Sequence, residues 1–334
     1  MVKKIAIFNH KGGVSKTTSA YHIGWKLTDL GKKVLLVDAD SQCNLTILAL
    51  GEEEYESYYT QYPKKNLKEA LKPAFNSDTS AIQPMDCINV KNNPNLFLLP
   101  GNIDLGEYEV ELAFSFLNSF GVMKNLPGAF NYLLNKTAEK YNIDYILIDM
   151  NPSLSALNQD IILTSDFFMV PTSPDYFSSM AISSLSNILP KWETWAQRAR
   201  ANFADAVYPM PDVTAKFLGY TINDFSIRKG KPSAAFEGMI ENIETAVLAK
   251  MIGKLDAVGM LLPSEKYSEG YCLGQIHDFG SLVAKSQEYG LPVFALDDIQ
   301  IGYTGTVLDN AKKNIRIFDQ SFLSIAQKII NRSI

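Results

Sequence analysis

The residues with the clearest chemical potential form the stretch FNHKGGVSKTT, from Phe8 to Thr18. Paired glycines let a backbone approach a phosphate closely, a lysine neutralises phosphate charge, and a threonine hydroxyl suits Mg²⁺. The ordinary phosphate loop reads Gly-x4-Gly-Lys-Ser/Thr. Lys16 and Thr17 fit the end of that pattern, but His10 and Ser15 occupy its two glycine positions. The residues predicted to hold phosphate are Gly12, Gly13, Val14, Ser15, Lys16, Thr17 and Thr18.

Three aspartates follow apolar runs and are candidates for handling a metal ion and water. Asp38 and Asp40 come at the end of KVLLVDAD, and Asp149 ends YILID. At the carboxyl edge of a parallel sheet, such carboxylates face the ligand crevice, where they position Mg²⁺ or orient a water molecule. We therefore predict Thr17, Asp38 and Asp149 as metal-binding residues. A solvated turn remains the alternative for the Asp38–Asp40 step.

These residues need a parallel sheet to bring them together, and the chain predicts one. A buried strand at Lys4–Asn9, a helix at Thr17–Leu30 and a strand at Lys33–Asp38 form a βαβ unit. The pattern predicts an α/β fold with a doubly wound, mainly parallel sheet and helices on both faces. Further predicted strands are Phe97–Leu99, Tyr145–Asp149, Phe167–Val170, Phe217–Ile222, Ala257–Leu262 and Pro292–Ala295.

Composition limits the class of protein. The 334 residues carry a net charge of −5 and 46% hydrophobic residues, as in ordinary globular proteins, and the acidic total argues mildly against a strongly basic nucleic-acid binder. We expect one domain over residues 1–334, with excursions at about 52–95 and 198–213 and a terminal amphipathic helix at about 321–331. Three scattered cysteines indicate neither disulfides nor a zinc site. Without a predicted signal peptide or membrane span, we expect a cytoplasmic protein.

The stretch KGGVSKTT resembles the deviant Walker A pattern, Lys-Gly-Gly-x-x-Lys-Thr, of the ParA/MinD family of P-loop ATPases, most closely its ParA-type partition members. In that family two ATP-bound subunits face each other, and the extra lysine touches the phosphates of the partner's nucleotide. The resemblance implies that Lys11 binds nucleotide and acts in catalysis across the interface, as an arginine finger does. The resemblance also implies that Lys16 is the catalytic lysine of its own subunit. The implied cofactors are ATP and Mg²⁺.

Further matches extend the resemblance from Lys4 to about Leu189. DADSQCN resembles the family's Asp-x-Asp-Pro-Gln-x-Asn, in which the second aspartate orients the attacking water, so the match assigns that catalytic role to Asp40. The chain departs from the family at Ser15, where glycine is usual, and at Asn151, where the family reads Asp-x-Pro-Pro.

The resemblance is weaker at the nucleotide base. Asn223 ends LGYTIND, where the family often places a residue that reads the base, and Pro263 stands where the family has Pro-Arg. We predict both as nucleotide-binding residues. A turn role remains the alternative for Asn223.

The function implied is an ATPase that forms an ATP-sandwich homodimer, hydrolyses ATP when stimulated by an adaptor or centromere-binding protein, and positions a plasmid, chromosome or other cargo. Non-specific DNA binding and association with the nucleoid are expected with it, whereas membrane binding is not. A MinD-like membrane-cycling ATPase and a metabolic P-loop enzyme remain alternatives. Candidate DNA contacts are Arg198, Arg200, the RKGK segment at Arg228–Lys231, Lys312, Lys313, Arg316, Lys328 and Arg332.

Overall fold

The computed structural model describes residues 2–77, 80–118, 120–228 and 231–334. Within these residues, eight strands form one sheet in the order β10-β7-β6-β1-β5-β2-β4-β3. All neighbours in it are parallel except β3 and β4, so the predicted doubly wound, mainly parallel α/β fold is confirmed. The strands are β1 Lys3–Ile7, β2 Val34–Ala39, β3 Ile88–Asn89, β4 Leu96–Leu99, β5 Tyr145–Met150, β6 Phe167–Thr172, β7 Lys216–Phe225 and β10 Cys272–His277. A separate hairpin pairs β8 Ile227–Arg228 with β9 Lys231–Pro232.

Helices cover both faces of the sheet. In the described residues they are α1 Lys16–Asp29, α2 Asn44–Leu50, α3 Glu52–Gln61, α4 Leu67–Phe75, α5 Glu109–Leu117, α6 Leu126–Tyr141, α7 Ala156–Thr164, α8 Tyr176–Ala199, α9 Ala234–Ala246, α10 Gly253–Asp256, α11 Leu282–Tyr289, α12 Asp298–Ile301 and α13 Gly305–Ser333. A π-helical segment, Val247–Ile252, joins α9 to α10. No helix in the described ranges is both long and apolar enough to cross a bilayer.

Alternate residues of the central strands fill two separate cores. On β1, Ala6 packs into the core beneath α6 and α8, whereas Ile5 and Ile7 pack into the core beneath α1 and α13. This two-sided burial explains why the strands read as continuous apolar runs. The register sets Ile7 beside Asp149, and Asp149 beside Asp38, so the ends of three neighbouring strands meet at one edge of the sheet.

Two predicted strands are wrong, and one long strand, β10, was missed, as were the two-residue strands β3, β8 and β9. Residues 257–262 follow the end of α10, where Gly259 with φ of 74° terminates the helix, and Val293–Ala295 forms a 3₁₀ turn. The missed strand, β10, has its apolar run interrupted by Gly274. A side chain at Gly274 would collide with Ile325 of α13, because its Cβ would lie 2.6 Å from Cγ1 of that isoleucine. Helix α13 is also longer than the predicted terminal helix.

Candidate functional site

The phosphate loop connects β1 to α1 at the carboxyl edge of the sheet. Gly13 has φ of 67°, and a side chain there would meet nothing within 4 Å, so its backbone is open to a ligand. The loop forms one wall of a cavity of about 520 Å³. The lining residues are Gly12, Gly13, Val14, Ser15, Lys16, Thr17, Thr18, Asp40, Gln42, Asn44, Leu48, Pro152, Asp224, Val283 and Gln287.

Ser15 adopts a backbone conformation that normally favours glycine. Its φ is 58°, in the left-handed region, where an L-residue with a side chain is strained. The Ser15 hydroxyl donates a hydrogen bond to a carboxylate oxygen of Asp224, which also lines the cavity. This bond gives a physical reason why serine is tolerated where the family that the loop resembles usually has glycine.

Lys16 is buried and directed along the loop toward the cavity. Its Nζ donates a hydrogen bond to the carbonyl oxygen of Lys11 at 3.2 Å. Burial lowers the pKa of Lys16, against the opposing attraction of Asp149 and Asp40. A buried ammonium beside an open cavity is suited to neutralise an anionic ligand.

Lys11 points elsewhere. Its Nζ forms an ion pair with Asp175 and donates to Ser178 Oγ at 3.0 Å, and it does not line the cavity. Asp175 is the N-cap of α8 and accepts from the Ser178 backbone N–H at 2.9 Å. Burial alone would raise the pKa of Asp175, but hydrogen bonds from Lys11 and Ser178 outweigh it and lower that pKa.

Thr17 and Asp149 meet below the loop, where a cation could be held. Thr17 Oγ1 donates to Asp149 Oδ2 at 2.6 Å, while Asp149 Oδ1 is buried without a hydrogen-bond partner. Burial raises the pKa of Asp149 to about 8, and the charge of Asp38 adds to it, although Thr17 and Lys16 act in the opposite direction. A hydroxyl and a carboxylate with an unpaired buried oxygen fit the oxygen ligands of Mg²⁺.

The predicted metal role of Asp38 needs correction, because this carboxylate is satisfied within the fold. The Oδ2 atom of Asp38 accepts hydrogen bonds from the Thr46 backbone N–H at 2.8 Å and from Thr46 Oγ1 at 2.7 Å. Asp38 does not line the cavity. Burial raises its pKa to about 7, against those hydrogen bonds. Asp38 therefore anchors the start of α2. Asp40 does line the cavity, and its Oδ1 accepts from the Gln42 N–H at 3.0 Å.

The loop after Asp149 is held by one buried amide. Asn158 Nδ2, on α7, donates to Asn151 O and Oδ1 at 2.9 Å each and to Ser153 O at 2.8 Å. Pro152 of this loop lines the cavity opposite Gly12. Asn151 stands at the position where the family that the sequence resembles has proline, and hydrogen bonds fix its side chain.

The structure does not place the two residues predicted to bind the nucleotide base on the wall of the cavity. Asn223 is buried and donates to the Val14 carbonyl at 2.9 Å, so it fixes the loop and does not line the cavity. Pro263 is exposed and lies three residues after Met260. The Met260 carbonyl accepts a backbone hydrogen bond from the start of β7, which is at the opposite edge of the sheet from the loop. The structure does not bring Pro263 to the site.

Sequence reasoning missed residues that do line the cavity. Asp224 follows directly after Asn223, and α11 contributes Val283 and Gln287 to the cavity wall. The sequence feature that could have indicated Asp224 was its position, as an acidic residue just after a predicted strand. Helix α11 could not be placed, because the strand that precedes it was not recognised.

Two of the predicted DNA-contacting cations, Arg200 and Arg332, are buried within the fold, which corrects the prediction for those two residues. Arg200 is buried in a two-pronged pair with Glu193, at 3.0 and 3.2 Å, and Arg332 is buried against backbone carbonyls, including that of Gly270. Lys312 pairs with Asp298 and Lys328 with Glu269. Arg198, Lys313 and Arg316 are exposed. Lys229 and Gly230 lie outside the described residues, as do the side chains of Arg228 and Lys231.

Comparisons with known proteins identify the family of the chain. A family model described as an AAA domain matches residues 2–200. The sporulation initiation inhibitor protein Soj of Bacillus subtilis (strain 168) is 33% identical over 187 residues, covering 56% of this chain and 64% of Soj. The chain thus spans less than two thirds of the length of Soj. A ParA family protein of Chlamydia trachomatis is 26% identical over 243 residues, covering 72% of this chain and 78% of that protein.

One solved structure extends the likeness over the whole chain. The structure of pNOB8 ParA bound to nonspecific DNA has a TM-score of 0.59 and 17% sequence identity, and the match covers 100% of this chain and 99% of that one. At this identity the likeness establishes the fold alone.

Proposed function

Because the chain belongs to the AAA-domain family and is a ParA/MinD-type P-loop ATPase of the ParA-like partition group, we propose that two copies bind ATP with Mg²⁺ face to face and that hydrolysis separates them. Cargo positioning or DNA segregation would follow from this cycle of association and release. The matches to the curated sequence relatives cover only part of this chain, so these steps are proposals for it.

One observation carries the proposal, namely the divergence of the two loop lysines. Lys16 lines the cavity of its own subunit, whereas Lys11, five residues earlier, has its amine outside that cavity. The amine lies outside the phosphate site of its own subunit and points away from it. This divergence supports the proposal that Lys11 acts in trans on a partner's phosphates.

The remaining residues supply the chemistry within each subunit. Thr17 and Asp149 would hold Mg²⁺, which neutralises charge on the β and γ phosphates when bound. Lys16 and the backbone N–H groups at the start of α1 would bind phosphate oxygens. Asp40 lines the cavity next to the loop, where its carboxylate can orient a water molecule toward the terminal phosphate.

A mixing experiment tests whether Lys11 acts in trans. Lys11→Ala and Asp40→Ala are each expected to hydrolyse ATP poorly. In a mixed dimer, the site of the Lys11→Ala subunit has its own Asp40 and receives Lys11 from the Asp40→Ala subunit. A 1:1 mixture should recover about one quarter of the parent activity, because half the dimers are mixed and each contains one complete site.

The matched control is a mixture of Lys11→Ala with a Lys11→Ala, Asp40→Ala double variant, which contains no complete site. Recovery in the first mixture alone supports the proposal. No recovery in either mixture, with ATP binding intact in both single variants, contradicts the trans role of Lys11.

DNA is the proposed partner for the cargo step. Arg198, Lys313 and Arg316 remain exposed for phosphate contacts, and non-specific binding through such contacts falls steeply with salt. We expect duplex DNA of arbitrary sequence to bind with ATP and not with ADP, and Lys313→Gln with Arg316→Gln to weaken it. Binding that is equal with both nucleotides would contradict this part of the proposal. An activating adaptor or centromere-binding protein and a cytoplasmic, nucleoid-associated location also remain proposals.

A further inference from the structure

The ion pair between Lys11 and Asp175 joins the phosphate loop to the first turn of α8, 164 residues away in sequence. The backbone on both sides is fixed independently. The Lys11 N–H donates to Asn9 Oδ1 at 3.0 Å, and Ser173 Oγ donates to the Gly13 carbonyl at 3.3 Å. Only the Lys11 side chain therefore has to move for the pair to open.

The pair is accessible enough to exchange partners. The Lys11 side chain is 18% exposed and that of Asp175 is 42% exposed. A carboxylate with this exposure is readily rehydrated when its partner leaves. A triphosphate carries more negative charge than one carboxylate, so a facing nucleotide is the stronger competitor for the Lys11 amine.

The same turn of α8 also presents an apolar surface. Tyr176, Phe177 and Met180 are 72%, 66% and 54% exposed, directly after the capping residue Asp175. Large exposed apolar side chains beside a ligand site are typical of an interaction surface. A second copy that docks here would cover these side chains and, in the same step, bring its nucleotide to the Lys11 amine.

Building on the proposed function, we propose that Asp175 is a positioning residue that holds Lys11 within its own subunit until a partner's nucleotide displaces it. The carboxylate thereby sets the ATP concentration at which two copies associate. The partner chemistry is a second copy of this chain carrying a nucleoside triphosphate. Asp175 does not touch the nucleotide in this account, and acts only through Lys11.

The test is Asp175→Asn, because asparagine also serves as a helix N-cap and so removes the charge while keeping the cap. An exposed ion pair changes an equilibrium about threefold, and two pairs open per dimer, so the variant should dimerise about tenfold more tightly. Analytical ultracentrifugation of the full chain with a non-hydrolysable ATP analogue and Mg²⁺ measures this. Asp205→Asn, which removes the exposed pair with Lys124, is the matched control and should leave dimerisation unchanged. Asp175→Glu should restore the parent behaviour.

A second measurement tests the ion pair between Lys11 and Asp175 in the monomer, without dimerisation. Acylation of Lys11 in the nucleotide-free monomer, followed by mass spectrometry with Lys313 as the internal reference, should rise several-fold in Asp175→Asn. If this variant dimerises no more tightly than the parent chain, while the parent dimerises normally, the role of Asp175 is refuted and the proposed function is not. If both the parent and the variant stay monomeric with the analogue, the proposed dimerising function itself fails, and this inference fails with it.

Discussion

Ser15 gives the most quantitative prediction, because two opposing free-energy contributions meet at one residue. Its left-handed backbone costs about 1–2 kcal/mol relative to glycine. The hydrogen bond from its hydroxyl to the Asp224 carboxylate offsets this by about 1.5–3 kcal/mol. Ser15→Ala keeps the strain and loses the bond, so it should lower the free energy of unfolding by about 2 kcal/mol.

Ser15→Gly loses the same hydrogen bond but also removes the strain. It should therefore be about 1–2 kcal/mol more stable than Ser15→Ala and close to the parent chain. Urea denaturation of the three nucleotide-free proteins, followed by far-ultraviolet circular dichroism, measures the differences. Because alanine and glycine both lack the hydroxyl, the comparison isolates the backbone contribution.

The control for the hydrogen bond is Asp224→Asn, which keeps an acceptor for the Ser15 hydroxyl but removes the charge. It should cost less than Ser15→Ala. Equal destabilisation by Ser15→Ala and Ser15→Gly would refute the claim that this loop position is strained. A Ser15→Ala variant as stable as the parent would refute the stabilising role of Asp224.

Other predictions follow from single contacts. Lys16→Ala should abolish ATP binding in a fluorescent-nucleotide titration. Asp40→Ala should bind ATP normally but hydrolyse it more slowly by about 10²-fold or more, since about 10² is the smallest usual effect of losing a general base. Hydrolysis at the parent rate would contradict the role assigned to Asp40. Arg200→Ala should lower the free energy of unfolding by about 3–5 kcal/mol, because the buried Glu193 carboxylate loses its counter-charge and keeps only the hydrogen bond from Thr214 Oγ1. A loss under about 1 kcal/mol would contradict this. His22 is buried with its pKa lowered to about 3. Its unfolded form takes up a proton below about pH 6.5, so stability should fall as the pH drops from there, by about 2 kcal/mol at pH 5, and His22→Leu should flatten that slope in urea titrations.

The position of the glycine loop at the cavity was predictable because its residues are close in sequence, and its binding of phosphate stays a prediction. A buried strand, a glycine loop and a helix fix one another locally, so residues 12–18 and Asp40 were placed at the cavity without tertiary information. Asp149 was predictable for a related reason, since parallel strands that end in carboxylates share an edge.

Other parts of the site were not predictable, because their contacts join distant segments. Whether Asp38 faces a ligand or Thr46 depends on how α2 packs, and the partner of Lys11 depends on where α8 begins. Arg200 and Arg332 read as surface charges, since composition does not reveal the buried carboxylate and carbonyls that receive them. The single-domain organisation of residues 1–334 remains a prediction.

The mass of the chain in solution tests the central claim most directly. The measurement is light scattering after size-exclusion chromatography, with a non-hydrolysable ATP analogue and Mg²⁺ in one run and ADP in the other. The proposed ATP sandwich predicts twice the monomer mass with the analogue and the monomer mass with ADP. A parent chain that elutes as a monomer in both runs at high protein concentration would contradict it.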